Sequence, residues 1–218
     1  MDAASSLFDF ALDCLLLDNL RLPILAFFIG AIPFGYLLAK RQGIDVLSAG
    51  SKSTGATNVL RLLKAKDPKL AKKIAALTLF LDFIKGLLAL FLAHFVFELS
   101  EASLWLCALM AVLGHCFSPF LSMKGGKGVA SSAGVLLFFY PYCIALGFLA
   151  WFLVGKILKT SSLASFAGLF AVGISMFYLY PDPLIKTHTP AVLILLIVLI
   201  RHSENIKRLI FRTEKAVL

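Results

Sequence analysis

Residues 48–61 read SAGSKSTGATNVLR, a run of Gly, Ser and Thr that leads into a helix-forming ATNVLRLL. Glycine lets successive backbone N–H groups turn toward one anion, and the start of a following helix adds partial positive charge. Ser51, Thr57 and Asn58 bring side-chain hydrogen-bonding groups, and Arg61 brings a fork that matches a phosphate. A flexible connector with a helix cap has the same composition, and on composition alone the two readings stand level. Residues 124–128 read KGGKG and pass straight into apolar sequence at Val129. Gly125, Gly126 and Lys127 at a helix N-terminus also suit an anion. The pattern is not a Walker A loop, because Gly128 follows Lys127 where Ser or Thr is required. A tight helix–helix turn is the alternative, but such turns seldom need three glycines. Residues 201–208 read RHSENIKR. On a helix His202 and Asn205 share a face, flanked by Arg201 and Arg208. A basic membrane anchor accounts for the Arg and Lys but not for the His and Asn.

The remaining polar residues offer less. Asp82 and Lys85 lie inside an apolar run, where ionisable groups are costly, and their i,i+3 spacing predicts a structural ion pair. His115, in Gly114-His115-Cys116, reads as hydrogen-bonded packing, and His94 and His188 lie away from the three stretches. Cys14, Cys107, Cys116 and Cys143 are scattered and read as small apolar packing residues. No catalytic triad and no metal-ligand spacing is visible, so neither a metal nor a cofactor is expected.

The elements that would carry these stretches are membrane helices. Apolar residues make up 60% of the chain and charged residues 15%, against roughly 45–50% and 25% in soluble domains. Mean hydropathy is +0.93. A soluble globule of this size has too little interior to hide that surface. Apolar runs at 20–39, 74–97, 102–121, 129–140, 142–157, 162–180 and 189–200 predict seven transmembrane helices in one membrane domain, residues 1–218. Tyr140–Pro141 must serve as a tight turn, and Pro181-Asp-Pro183 marks an external loop. With the N-terminus outside and the C-terminus cytoplasmic, the inside segments hold all of the 21 Lys and Arg residues except Arg21, Lys85 and Lys186. Asp2, Asp9, Asp13, Asp18, Glu98, Glu101 and Asp182 fall outside. The acidic start does not resemble a cleavable signal and reads as an external or interfacial helix. The net charge of +9 thus gathers on one face. Nucleic acid is not the expected partner, because the charges sit at helix ends with no separate binding module.

In order along the chain, GAIPFGY (30–36), GATNVLR (55–61), LDFIKG (81–86), Gly114-His115, KGGKGVA (124–130), SLAS (162–165) and RHSENIKR (201–208) resemble the landmarks of the bacterial integral-membrane acyl-phosphate:glycerol-3-phosphate acyltransferases. The resemblance covers nearly the whole chain. Two departures stand out: Lys52-Ser53-Thr54 replaces the family's usual Gly-Asn-Pro before Gly55, and Pro119 falls one place late after Gly114-His115.

This resemblance implies an all-α enzyme of the bacterial inner membrane, multi-pass, with cytoplasmic-side glycine-rich loops and its active site facing the cytoplasm. It would transfer a fatty acyl group from acyl phosphate to the 1-hydroxyl of sn-glycerol 3-phosphate, releasing phosphate and lysophosphatidate for phospholipid synthesis. Neither acyl-CoA nor a metal, cofactor or protein partner is implied. Ser51, Arg61 and Lys127 would hold the glycerol-phosphate phosphate. His202 and Asn205 would orient the glycerol hydroxyls, and Gly125, Gly126, Thr57 and Asn58 would approach the acyl phosphate. An acyl phosphate is already activated, so the leaving phosphate could take the hydroxyl proton itself. A transporter for an anionic metabolite shares the basic inner loops but needs a polar path through the outer half. A non-catalytic scaffold has no use for Gly-Gly-Lys-Gly.

Overall fold

A computed structural model of the chain describes residues 17–214 and 216, and all regular structure among them is helical. The predicted acidic N-terminal helix, with Asp2, Asp9, Asp13 and Cys14, falls outside the described residues. The first apolar run forms two helices, α1 (Leu17–Ala31) and α2 (Phe34–Lys40). Pro33 separates them, since a proline cannot supply the next helical N–H. The short helix α3 (Ala56–Leu63) precedes α4 (Pro68–Phe91), which continues as a π turn over Leu92–Val96. Asp67 Oδ1 accepts from Lys69 N and Leu70 N at 2.9 and 3.0 Å, and Pro68 takes the first helical position. Both features are the expected signals of a helix start. Then come α5 (Glu101–Cys116), a 3₁₀ turn (Pro119–Leu121), α6 (Val129–Phe139), α7 (Pro141–Leu158), α8 (Ser161–Leu179), α9 (Thr189–Arg201) and α10 (Ser203–Ile210). Tyr140 is the predicted turn, the shared residue between α6 and α7.

Five segments are long and apolar enough to cross a bilayer: Leu20–Lys40, Pro68–Val96, Glu101–Leu121, Pro141–Leu158 and Ser161–Leu179. α9 makes a sixth when counted with α10, which bends away from it by 54°. α6 has 11 residues, short of the roughly 20 that a full crossing takes. Outward-facing Phe80, Phe148, Phe170 and Tyr178 are exposed, a surface that lipid rather than water would cover.

Between the helices the contacts rest on small residues, as expected where lipid gives no hydrophobic drive to association. A Cβ on Gly30 would lie 2.0 Å from the Ala111 carbonyl oxygen, and one on Gly114 2.0 Å from that of Phe27. α1 and α5 therefore touch backbone to backbone. Gly86 and Gly134 do the same for α4 and α6, against Ser131 O and Phe83 O. The core around these crossings includes Ala108, Ala111, Val112, Leu136 and Ile194, with Trp105 stacked on Phe139 at 3.7 Å between ring centroids. Cys107, Cys116 and Cys143 are buried and unpaired.

The predicted Asp82–Lys85 ion pair is present at 2.7 Å, and both residues are buried. Lys85 Nζ also donates to Ile32 O at 2.8 Å, a carbonyl at the Pro33 break. Ser118 Oγ donates to Ala31 O at 2.7 Å beside it. The break in the first span is thus satisfied by side chains from α4 and the α5–α6 loop, as backbone within a membrane must be. His115 Nδ1 lies 3.6 Å from Asp82 Oδ1, so the histidine belongs to this buried cluster.

Candidate active site

α3, α6 and α8 all start at one polar cavity of ≈ 90 Å³. Gly55, Ala56 and Thr57 line it from α3, Gly128, Val129 and Ala130 from α6, and Ser161 and Ser162 from α8. The first N–H groups of a helix have no partner within it, so three positive helix ends face one space. Thr57 Oγ1 and Ser161 Oγ, 2.8 Å apart, tie α3 to α8. Asp82 and His115 reach the cavity from α4 and α5. From the sequence-predicted set, Ser51, Thr57, Asn58, Arg61, Lys127, His202 and Asn205 all line this cavity. The three stretches, far apart in the chain, meet here.

Gly125 and Gly126 do not reach the cavity wall. They are buried against the end of α5 instead, where a Cβ on Gly125 would lie 2.2 Å from His115 O and one on Gly126 1.9 Å from His115 Nε2. Gly126 N donates to His115 O at 3.0 Å, while Arg201 Nε and Nη2 both donate to Gly126 O at 3.2 Å. The guanidinium of Arg201 also lies over the Phe117 ring. The glycine pair is a packed joint that delivers Lys127 and Gly128 to the cavity. Gly128 has φ +90°, a left-handed conformation that favours glycine.

Asn58 lines the cavity with a side chain already committed. Its Oδ1 accepts from Ser51 N at 2.9 Å, and its Nδ2 donates to the carbonyls of Val46, Ala49 and Ser53. It therefore closes the 46–53 loop from inside and presents Ser51. His202 is buried at the end of α9, and the carbonyl of Val198, 2.8 Å away, can only accept. Nδ1 must then carry the proton, which leaves Nε2 as an acceptor when the ring is neutral. Burial pushes the His202 pKa down to about 4, with Lys127 and Arg201 adding to the fall.

Lys127 Nζ donates to Asn205 Oδ1. Burial pushes the Lys127 ammonium down to about 8, and Arg208, Arg61 and Arg201 push the same way against the opposing pull of Glu214. Burial likewise lowers the pKa of Arg61, opposed by Glu214 and reinforced by Arg208. Arg61 and Lys127 line the cavity, with Arg208 and Arg201 close enough to act on Lys127 from behind, and together with the three helix ends they offer an anion several partners. Among the described residues no group of His, Cys, Asp and Glu is arranged to hold a metal ion. Nothing in the sequence marks Glu214 or Ser161 for the site, and Ser162 stands out there only as the first residue of the SLAS landmark. Glu214 follows a basic helix in a nondescript tail, and only the folded chain turns it inward.

The polar cavity opens onto an apolar groove of ≈ 470 Å³ between α4, α6, α7 and α8, and Leu79, Val129, Ala130, Trp151 and Ser165 line both. The groove continues past Phe80, Phe83, Leu136, Ile144 and Val172.

Residues 20–212 match the model of the glycerol-3-phosphate acyltransferase family. The chain belongs to this family. Glycerol-3-phosphate acyltransferases from Campylobacter lari and Campylobacter concisus are 47% and 48% identical to it over 204 residues, covering 93% of this chain and 100% of each relative. That of Sulfurimonas denitrificans is 46% identical over 208 residues, covering 95% and 100%. Two crystal structures of PlsY (YgiH), an integral membrane glycerol 3-phosphate acyltransferase, superpose with a TM-score of 0.78. They represent its glycerol 3-phosphate and lysophosphatidic acid forms, at 32% and 33% identity, and each covers 91% of this chain and 95% of that one. As in that acyltransferase, the chain is an integral membrane protein, and the family's chemistry belongs to phospholipid biosynthesis.

Proposed function

We propose that the chain transfers a long-chain acyl group from acyl phosphate to the 1-hydroxyl of sn-glycerol 3-phosphate, giving lysophosphatidate and phosphate. The observation that carries this reading is the junction of two unlike spaces. A polar cavity that holds Arg61, Lys127 and three helix N-termini shares a wall with an apolar groove, which suits a reactant with a phosphate head and an alkyl tail. Acyl phosphate would lay its tail in the groove and present its mixed anhydride where Val129 and Ala130 form the shared wall.

Arg61, Lys127 and Ser51 would hold the phosphate of glycerol 3-phosphate. His202 Nε2 would accept from a glycerol hydroxyl, with Asn205 beside it, and Thr57 would face the acyl phosphate. Asn58, Gly125 and Gly126 would act on substrate only through the loops they shape. The 1-hydroxyl oxygen attacks the carbonyl carbon, the bond from that carbon to the phosphate oxygen breaks, and phosphate departs with the electron pair. The hydroxyl proton goes to the leaving phosphate, because a His202 with a pKa of about 4 is a weak base. With the donor already activated, holding the two phosphates together against their repulsion supplies much of the rate. Neither a metal nor a cofactor is needed for these steps.

In the membrane, one domain spanning residues 1–218 would cross seven times, with α6 as a short crossing and α10 lying along the cytoplasmic surface. The N-terminus would then be outside, and the site would face the cytoplasm of a bacterial inner membrane, where glycerol 3-phosphate is dissolved.

The test is purified protein in lipid with palmitoyl phosphate and labelled glycerol 3-phosphate, assayed with and without a chelator. Lysophosphatidate should form in both, and kcat/KM for glycerol 3-phosphate should fall by roughly 10²–10³-fold in Lys127→Ala and Arg61→Ala. The same parameter should decline above about pH 8, as Lys127 loses its proton. A folded protein that makes no product but carries labelled glycerol 3-phosphate into liposomes would be a transporter instead.

A further inference from the structure

Two carboxylates line the polar cavity, Asp82 and Glu214. Asp82 is matched by Lys85 and Glu214 by Arg208, yet a second carboxylate in a pocket for phosphates takes up a cation that could otherwise serve the substrate. Its placement is deliberate in structural terms. Arg212 has φ +56°, Thr213 N donates to Arg208 O at 2.8 Å and Arg212 N to Leu209 O at 3.1 Å. This is the Schellman closure of a helix C-terminus. It reverses the chain so that Glu214 lies back across the inner face of α10, where Asn205 and Arg208 are one turn apart. The Glu214 side chain is only 6% exposed. Oε1 accepts from Asn205 Nδ2 at 2.8 Å and from Ser162 Oγ at 3.1 Å, and Oε2 accepts from Arg208 Nε at 2.6 Å.

On the proposed reading of this site, we infer that Glu214 is a positioning residue for the glycerol-phosphate pocket, fixing the Asn205 amide so that its oxygen holds Lys127. The chemistry leaves one orientation for that amide. A carboxylate only accepts and an ammonium only donates, so Asn205 must turn Nδ2 to Glu214 and Oδ1 to Lys127. Without the carboxylate the amide is free to flip, presenting N–H to the ammonium and releasing it from its aim. Glu214 also anchors Arg208 and ties the start of α8, through Ser162, to the C-terminal turn. Its charge has a second effect on Lys127. The groups facing that ammonium are Arg61 from α3, Arg201 and His202 from the end of α9, Arg208 from α10 and Glu214, with Asp82 and His115 lining the same cavity. Among the charges that shift Lys127, Glu214 alone supports its protonated form, against the three arginines. Removing Glu214 therefore lowers the pH at which Lys127 loses its proton.

The experiment compares wild type, Glu214→Gln and Glu214→Asp in lipid. It measures KM and kcat for glycerol 3-phosphate, the pH dependence of kcat/KM, thermal unfolding, and the rise in unfolding temperature produced by inorganic phosphate. Glu214→Gln should raise KM about tenfold, the scale of one charged hydrogen bond, with kcat changed less than about threefold. Its alkaline limb should move to lower pH, its stabilisation by phosphate should shrink, and Glu214→Asp should fall between it and wild type. An unchanged KM and unchanged limb in folded Glu214→Gln would overturn the inference. So would a lower KM, which would make the carboxylate a competitor of the substrate phosphate. A uniform loss of kcat and stability with the limb unmoved would reduce Glu214 to a structural clasp. If Glu214→Gln does not fold, the graded effect of Glu214→Asp decides on the same readouts. A wild type that binds phosphate but forms no lysophosphatidate would sink the acyltransferase reading alone, and phosphate stabilisation would still decide the role of Glu214.

Discussion

Residues 48–55 and 124–128 are alike in composition, each pairing glycines with lysine, and both precede a helix that starts at the polar cavity. Gly50 of the first loop, like Gly125 and Gly126 of the second, is packed against protein, with a Cβ there falling 2.2 Å from Asn58 Oδ1, but Gly55 stands apart from these three. In the second loop Gly125 and Gly126 are pressed onto the end of α5, and the residues that reach the cavity are Lys127 and Gly128. In the first loop Gly55 itself lines the cavity, a Cβ there would find no heavy atom nearer than Ser53 Oγ at 3.7 Å, and a buried asparagine holds the turn together. A glycine-rich loop beside an anion site can therefore serve as a nest of N–H groups or as a joint that lets a lysine through. Composition does not tell these apart, because both need the absence of a Cβ. What differs is whether substrate or protein occupies the space that the missing Cβ leaves.

The largest effect should come from Gly125→Ala. The atom in the way is the carbonyl oxygen of His115, at 2.2 Å, with that of Cys116 at 2.7 Å behind it. Neither can rotate aside, so the 124–128 loop must lift off α5 and lose the Gly126–His115 hydrogen bond. The variant should fail to accumulate in folded form or unfold with a loss of about 3 kcal/mol or more, beyond the usual range for mild overpacking. Thermal unfolding in detergent reads this directly. If the protein instead keeps its unfolding temperature and loses only activity, the loop is an anion nest after all and the contrast with residues 48–55 disappears.

A smaller effect is expected at the equivalent lock of the first loop. Asn58→Asp preserves shape and the acceptor for Ser51 N but removes the donors that serve Val46, Ala49 and Ser53, and sets a carboxylate against those carbonyls. Stability should drop by about 2–3 kcal/mol, as for a buried polar group left unmatched, with KM for glycerol 3-phosphate rising because the 46–53 loop that presents Ser51 is no longer closed on Asn58 Nδ2. Loss of activity at full stability would mean that Asn58 touches substrate and that its loop contacts are incidental.

Much of this molecule is legible in its sequence. Each predicted apolar run contains a helix, because spans are set by length and hydropathy, which are local. The Asp82–Lys85 pair followed from i,i+3 spacing on a helix, and Ser51, Thr57, Arg61, Lys127, His202 and Asn205 were brought together by a resemblance that spans the chain. Less visible were features set by what packs against them. The Pro33 break is local, but its partners Lys85 and Ser118 come from distant parts of the chain, α4 and the α5–α6 loop. Gly125 and Gly126 looked like site residues because the His115 backbone beneath them is unseen in sequence. Glu214 is hidden in the sequence because a left-handed Arg212, a conformation no glycine announces, turns it inward.

The smallest effect separates the two loops most cleanly. Gly55 has φ −71° and ψ 157° at the start of α3, a conformation open to any residue. Replacing it with Ala restricts the unfolded chain, which favours folding by about 0.5 kcal/mol, but loses a good residue at the helix cap, which offsets a similar amount. Gly55→Ala should therefore unfold within about 0.5 kcal/mol of wild type and keep kcat/KM within about threefold. Measured beside Gly125→Ala in the same detergent and assay, it asks whether the open space at Gly55 is used. A loss of activity beyond a hundredfold, with unfolding unmoved, would place a substrate phosphate against the Gly55 backbone. The first loop would then be a nest, with the N–H groups at the start of α3 joining Thr57 in holding the acyl phosphate.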